Sequence, residues 1–320
     1  MVELFRVLTI DWLGKRWLFI GLSTVLMIGG AASLLLKGSF EYGVDFKGGT
    51  IVSVKFTEKA SADQVRQALQ AEGAPNSQIQ ELQGGAVGEY GLLIDLGMET
   101  SGESDMSAGR EIVTRALEKS YAKKFEILGS EFVGPKVGED LRRQAVLATL
   151  YALGGILVYI AFRFEWIYGA AAVLAVFHDT LITLGFFSIF DKEINLTVVA
   201  ALLTLVGYSV NDTIVVFDRV RENLRTKRRE NFEKVLNDSI NQTLSRTILT
   251  SGLTFLTVIA LFLFGGEVIN NFAFALVVGI IVGTYSSIAI ASPMVLIYTQ
   301  YRDRAGLQPV TAAVRAAKAK

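Results

Sequence analysis

The sequence contains no cysteine and a single histidine. The first absence excludes disulfides and any thiolate site. The second excludes a metal centre built from clustered histidines. A net charge is lacking as well, since 31 basic residues balance 31 acidic ones. The charges are segregated along the chain, however, and that segregation says more than their sum. No Gly-Lys-Ser/Thr phosphate loop is present. The polar part of the chain has no nucleophile with a base and an orienting group, so no enzyme activity is expected.

What is abundant is apolar sequence, 51% of 320 residues, gathered in long runs. A helix needs about 20 apolar residues to cross the bilayer core. Six such runs predict a polytopic α-helical membrane protein with spans at 17–37, 142–163, 165–188, 194–217, 246–265 and 268–299. The first run is too long for the core of a cleaved signal, and five more follow it, so it reads as a retained span. The last run exceeds one bilayer thickness and contains Pro293, so a tilt, a kink or an emergent end is expected there.

Lysine and arginine set the orientation. They collect in the N-terminal stretch 1–16, in the loop 218–245 (Arg219, Arg221, Arg225, Lys227, Arg228, Arg229 and Lys234) and in the tail 300–320. All three fall on one side, predicted to be cytoplasmic. The short loops opposite carry only Lys192. The positive-inside rule accounts for the basic loop without nucleic-acid binding.

Residues 38–141, between the first two spans, form a polar stretch long enough to fold outside the membrane. Ile51–Phe56 alternates like a strand. Ser61 stands where a helix to about Ala71 needs its cap. Gln78–Leu82 and Tyr90–Leu96 read as strands, Met106–Ala122 as a helix, and Lys124–Val133 as a last strand. The order β-α-β-β-α-β is ferredoxin-like. The segment Gly97–Gly109, polar and rich in Gly and Ser, reads as a mobile loop. The turn-rich Gly43-Val-Asp45-Phe46-Lys-Gly48-Gly49 sits where the chain leaves the first span, and it is not expected to lead into a helix.

One carboxyl stands out inside the apolar runs. Asp212 lies about 9 Å from the centre of the fourth span at 1.5 Å per residue, and an ionised acid there costs at least about 2.5–3.5 kcal/mol. Arg246, at the start of the fifth span, falls at a similar depth, so an Asp212–Arg246 pair is expected. The guanidinium favours the charged acid and desolvation favours the neutral one, a balance that suits a proton relay. Tyr208, Ser209 and Val216 share the helix face of Asp212, so the hydroxyls are candidate partners for it. Asn211 and Thr213 flank that face. The alternative is a buried acid that only fixes helix packing. His178 and Asp179, near the midplane of the third span, form a second candidate pair, because histidine titrates near neutrality. Together with Ser209, Asn211 and Thr213 they make up a possible secondary polar network. Gly279 and Gly283 form a GxxxG that permits close helix approach.

The Gly43–Gly49 segment, the run Gly207-Tyr-Ser-Val-Asn-Asp212-Thr-Ile-Val-Val-Phe-Asp218-Arg219-Val-Arg-Glu-Asn223, the run Asn241-Gln-Thr-Leu-Ser-Arg246-Thr, Ser251-Gly-Leu-Thr and Phe264-Gly-Gly266 together resemble the SecF family of bacterial protein-export subunits. This family is the SecF side of SecD/SecF, within the resistance-nodulation-division (RND) superfamily. The likeness extends over nearly the whole chain. It implies an inner-membrane subunit that pairs with SecD. It implies assistance to the SecYEG channel in drawing unfolded preprotein outward on the proton motive force. It assigns Asp212 as the proton-binding carboxylate and Arg246 as its basic partner. Protons are the coupling ion, and no cofactor or metal is implied. RND drug pumps usually carry two adjacent acids where this chain has Asn211-Asp212. A structural partner of SecD without its own proton path and a small-solute RND exporter are the competing readings; the domain of about a hundred residues is small for a drug-binding porter.

Overall fold

The computed structural model describes residues 9–75, 77–82, 90–97, 106–121, 124–163, 166–227, 229–266 and 268–305. The loop expected at Gly97–Gly109 falls mostly outside them, as do residues 1–8, Arg228 and the end of the tail from 306. Among the described residues six helical segments are long and apolar enough to cross a membrane. Helix α1 spans Arg16–Lys37. A single turn, α2 (Val44–Lys47), follows within the glycine-rich motif.

The extramembrane domain then runs β1 (Gly49–Phe56), α3 (Ala62–Ala71), β2 (Gln78–Leu82), β3 (Tyr90–Gly97), α4 (Met106–Tyr121) and β4 (Phe125–Val133). The strands pair antiparallel in the order β2-β3-β1-β4, the ferredoxin-like arrangement expected. Alternation puts Val52, Val54, Phe56, Leu92, Ile94 and Leu96 on one sheet face, where they pack against Val65, Leu69, Val113 and Leu117 of α3 and α4. Among the described residues the other face carries no helix of the domain. Ser61 occupies the cap position of α3, but its side chain makes no capping hydrogen bond.

The chain returns through α5 (Pro135–Arg163), α6 (Trp166–Ile189), α7 (Leu196–Thr226) and α8 (Phe232–Phe264). The expected basic loop 218–245 is therefore not a loop. Both helices run on past the apolar region and join through a short turn. Asn223 donates to Ser239 and Gln242, and Arg219 donates to Gln242, so polar side chains stitch this helical hairpin together where apolar contacts run out. The N-terminal segment is clamped to it. Asn237 and Asn241 both donate to the Ile10 carbonyl, while the Trp12 backbone N–H and indole N–H donate back to Asn237 and Asn241.

The sixth span is α9 (Asn270–Ser286), a π-helical turn (Ser287–Ala291) and α10 (Ser292–Arg304). The wide turn precedes Pro293, which has no N–H to donate. The Ser292 hydroxyl reaches back to the Ser287 carbonyl at 2.9 Å.

Glycines set two close crossings. A Cβ at Gly279 would strike Leu205, and one at Gly283 would lie 3.2 Å from the Ser209 Cβ, so the GxxxG seats α9 against α7. At the second crossing Gly30 of α1 meets Gly185 of α6, where a Cβ on Gly30 would lie 2.6 Å from the Gly185 Cα.

Candidate functional site

Helix α7 is the axis of the site. Its N-terminus is held from two directions. Asn195 accepts from the Val198 N–H, and Asp45 of α2 accepts from the Leu196 N–H at 2.9 Å. A carboxylate beside exposed amides at the positive end of a helix dipole is favourable on both counts. The junction is reinforced by backbone: the Gly43 N–H donates to the Ile194 carbonyl and the Ile194 N–H to the Glu41 carbonyl. Gly43 needs its missing side chain there, since a Cβ would stand 3.2 Å from the Asn195 Cβ. Phe46 is buried with Ile194 and Val198. Gly48 (φ 76°) and Gly49 (φ 145°) turn the chain into β1 with backbone angles that L side chains rarely adopt. The five motif residues Gly43, Asp45, Phe46, Gly48 and Gly49 thus form one joint between the domain and the start of α7.

Further along α7, Leu205, Ser209, Asp212 and Val216 form the buried stripe, at the spacing a helix face requires. Asp212 is 2% exposed. Its hydrogen-bond partner is Ser251 of α8, whose hydroxyl donates to Oδ2 at 2.9 Å. Arg246 lies close enough to act on the Asp212 charge but forms no ion pair with it. The direct pair expected from depth is therefore replaced by a hydroxyl contact. The reason is helical phase: Ser251 is buried on the α8 face turned to α7, whereas Arg246 is exposed. Tyr208 and Ser209 do not serve Asp212 either. The Tyr208 hydroxyl is buried without a partner among the described residues, and Ser209 belongs to the other acid.

That acid, Asp179 of α6, is 1% exposed and held by three groups. Oδ1 meets His178 Nδ1 at 2.9 Å, and Oδ2 accepts from Ser209 of α7 and Ser286 of α9. Thr213 donates to the Ser209 carbonyl. Of the expected network, His178, Asp179, Ser209 and Thr213 are brought together. Asn211 stands on the exposed face of α7, outside the Asp179 cluster but within reach of the Asp212 carboxyl. No hydrogen bond among the described residues joins the two acids, though Ser209 and Asp212 lie one turn apart on the same face.

Sequence reasoning missed Ser251 and Ser286 as carboxyl partners. Each lies on a buried helix stripe, but only the packing of the spans tells which serine faces which acid. Ser251 also lines a crevice of about 450 Å³ between α1, α8 and α9. Its walls are largely apolar (Phe19, Ile248, Phe255, Ile280), so it offers a proton little to move along. Among the described residues no group of acids or histidine could hold a metal ion.

Residues 113–301, more than half of the chain, match the family "Protein export membrane protein SecD/SecF, C-terminal", and residues 40–60 match the "SecD/SecF GG Motif". The chain belongs to the SecD/SecF family. Within it the similarity is to SecF. A Protein translocase subunit SecF of Calditerrivibrio nitroreducens is 46% identical over 92% of this chain and 96% of its own. One from Koribacter versatilis is 41% identical over 95% of each. A crystal structure of SecDF, a translocon-associated membrane protein from Thermus thermophilus, superposes with a TM-score of 0.79 at 38% identity. It covers 93% of this chain but 40% of that one, so the SecF part there shares a polypeptide with its SecD partner. This SecF-family chain is accordingly a membrane-embedded protein translocase subunit, and the fused relatives point to SecD as its partner.

Proposed function

We propose that this chain, paired with SecD in the bacterial inner membrane, uses the proton motive force to complete passage of unfolded preprotein through the SecYEG channel. The observation that carries this reading is Asp212: a carboxyl buried within a span, with a hydroxyl donor in Ser251 and the Arg246 charge nearby. A carboxyl with few donors and a cation within reach can exchange a proton when its access to water changes. Asp212 is the proton site, Arg246 its electrostatic partner, and Asp179 with His178 a fixed polar anchor between α6, α7 and α9.

The positive-inside rule puts the helical hairpin, the N-terminal clamp and the tail in the cytoplasm and the domain in the periplasm. Protonation of Asp212 from that side alters its hold on α8. The shift travels along α7 to the Asp45 joint and moves the domain, which holds and then releases an unfolded segment. The electrical part of such a step is worth about 2.3 kcal/mol per charge per 100 mV, enough to bias an element whose two states differ by a few kcal/mol.

The test is proton-motive-force-dependent export in cells carrying Asp212→Asn, with SecD association followed by co-purification. Export falling to the level of a deletion strain with the complex intact is expected. Normal export would refute the proton role. Rescue by exchanging Asp212 and Arg246 would instead favour a purely structural pair.

A further inference from the structure

The face of the domain sheet opposite α3 and α4 does not look into open solvent. Asp95 alternates with the buried Ile94 and Leu96 and so points from that face, in register with Gln78 of β2. Gln78 and Gln80 line a polar cleft of about 330 Å³ whose opposite wall is Asp191, Lys192 and Glu193 of the α6–α7 connection with Asn270 and Asn271 of α9. Glu193 is the odd member of this wall, because its Oε1 is buried with no hydrogen-bond partner among the described residues. Its charged neighbours are Asp95 on β3, Glu41 and Asp45 before and within α2, and Lys47 of α2. Lys47 already pairs with Glu41 at 3.3 Å, and Asp45 is committed to the α7 amide. On its own loop, Asp191 pairs with Lys37 and Lys192 donates to Asn270. Asp95 and Glu193 therefore confront each other from opposite sides of the seam with one shared, already engaged cation.

We propose that this seam is a proton-operated latch: the domain is seated on the membrane body while Glu193 is protonated, and it loosens about the Gly48–Gly49 turn when Glu193 and Asp95 are both ionised. Burial, then the neighbouring acids, push Glu193 up to about 7. Burial, with some opposition from Lys47, pushes Asp95 up to about 6. Because the seated form holds its protons at higher pH than a released carboxyl does, seating is fully favoured below about pH 4.5. It weakens as pH rises towards 7 and is weakest above it. A one-proton response changes the seated-to-loose ratio by at most about tenfold per pH unit. The latch is independent of Asp212 and would stand if the proton role proposed for that residue fell.

The absence of cysteine makes the test direct. Spin labels at Ser120→Cys on α4 and Val268→Cys before α9, in the full chain in lipid nanodiscs, report the distance between domain and membrane body from pH 5 to pH 8. A narrow distribution at pH 5 that broadens and lengthens by pH 8, with a midpoint between about pH 6 and 7, is expected. Glu193→Gln should keep the pH 5 distribution at pH 8, and Asp95→Asn should reduce the change. A wild-type distance that does not respond to pH overturns the latch, as does a wild-type response in Glu193→Gln. If Glu193→Gln does not fold, Asp95→Asn decides alone, and an undiminished response in it overturns the proposal.

Discussion

At the scale of single residues, the two intramembrane acids differ in how firmly they are held. Asp179 has partners on three helices' worth of side chains; Asp212 has Ser251. Replacing Ser251 with Ala removes a hydroxyl donor from a buried carboxyl, which costs about 1–3 kcal/mol. We expect Ser251→Ala to lower the thermal midpoint in detergent modestly and to slow proton-driven export, both read against Ser251→Thr, which keeps the donor. Asp45→Ala acts elsewhere. It removes a cap from α7 at a cost of about 0.5–2 kcal/mol, and hydrogen exchange at the Leu196–Val199 amides should quicken. Asp212 was legible in the sequence because a charge inside an apolar run is conspicuous. Its donor was not, since serines are tolerated on any helix face and a depth estimate carries no azimuth. The same limit explains the Arg246 expectation: equal depth on neighbouring helices does not fix which way a side chain turns.

At the scale of elements, the strands and helices of the domain follow from alternation and spacing with boundaries that differ by a residue or two. The spans are equally legible as apolar runs. What the runs hide is how far helices continue once they leave the apolar region. α7 and α8 persist through charged sequence because Asn223, Ser239 and Gln242 satisfy one another there. The π turn before Pro293 was visible only as a disturbance. The Gly30–Gly185 crossing had no signature at all, because scattered glycines in a span are unremarkable until two of them meet. Gly185→Leu forces α1 away from α6. Overpacking usually costs about 1–3 kcal/mol, occasionally more. We expect loss of folded protein on size-exclusion chromatography, whereas Gly154→Leu, where a Cβ meets open space, should be neutral.

At the scale of the whole molecule, three attachments tie distant parts of the chain to the α7–α8 pair: the Asp45 joint at one end, the α9 crossing in the middle, and the N-terminal clamp at the other end. None is local in sequence, and Ile10 and Asn241 are separated by 231 positions. Asn241→Ala removes its bonds to Ile10 and Trp12. It should free the N-terminus to trypsin at Lys15 and Arg16 without changing export greatly.

Helix α7 has 31 residues without a break, so it is about 46 Å long. It is gripped at its first turn by the domain joint and stitched at its last turns to α8. A stiff rod held this way behaves as a connecting rod in an engine: it cannot absorb a displacement along its length. Whatever tilts it near Asp212 must appear at both ends at once and with opposite sense, like a see-saw about its fulcrum. Stroke at the domain end is then set by where along the rod the pivot lies, and the α9 glycines, at Leu205 and Ser209, put that pivot close to the middle.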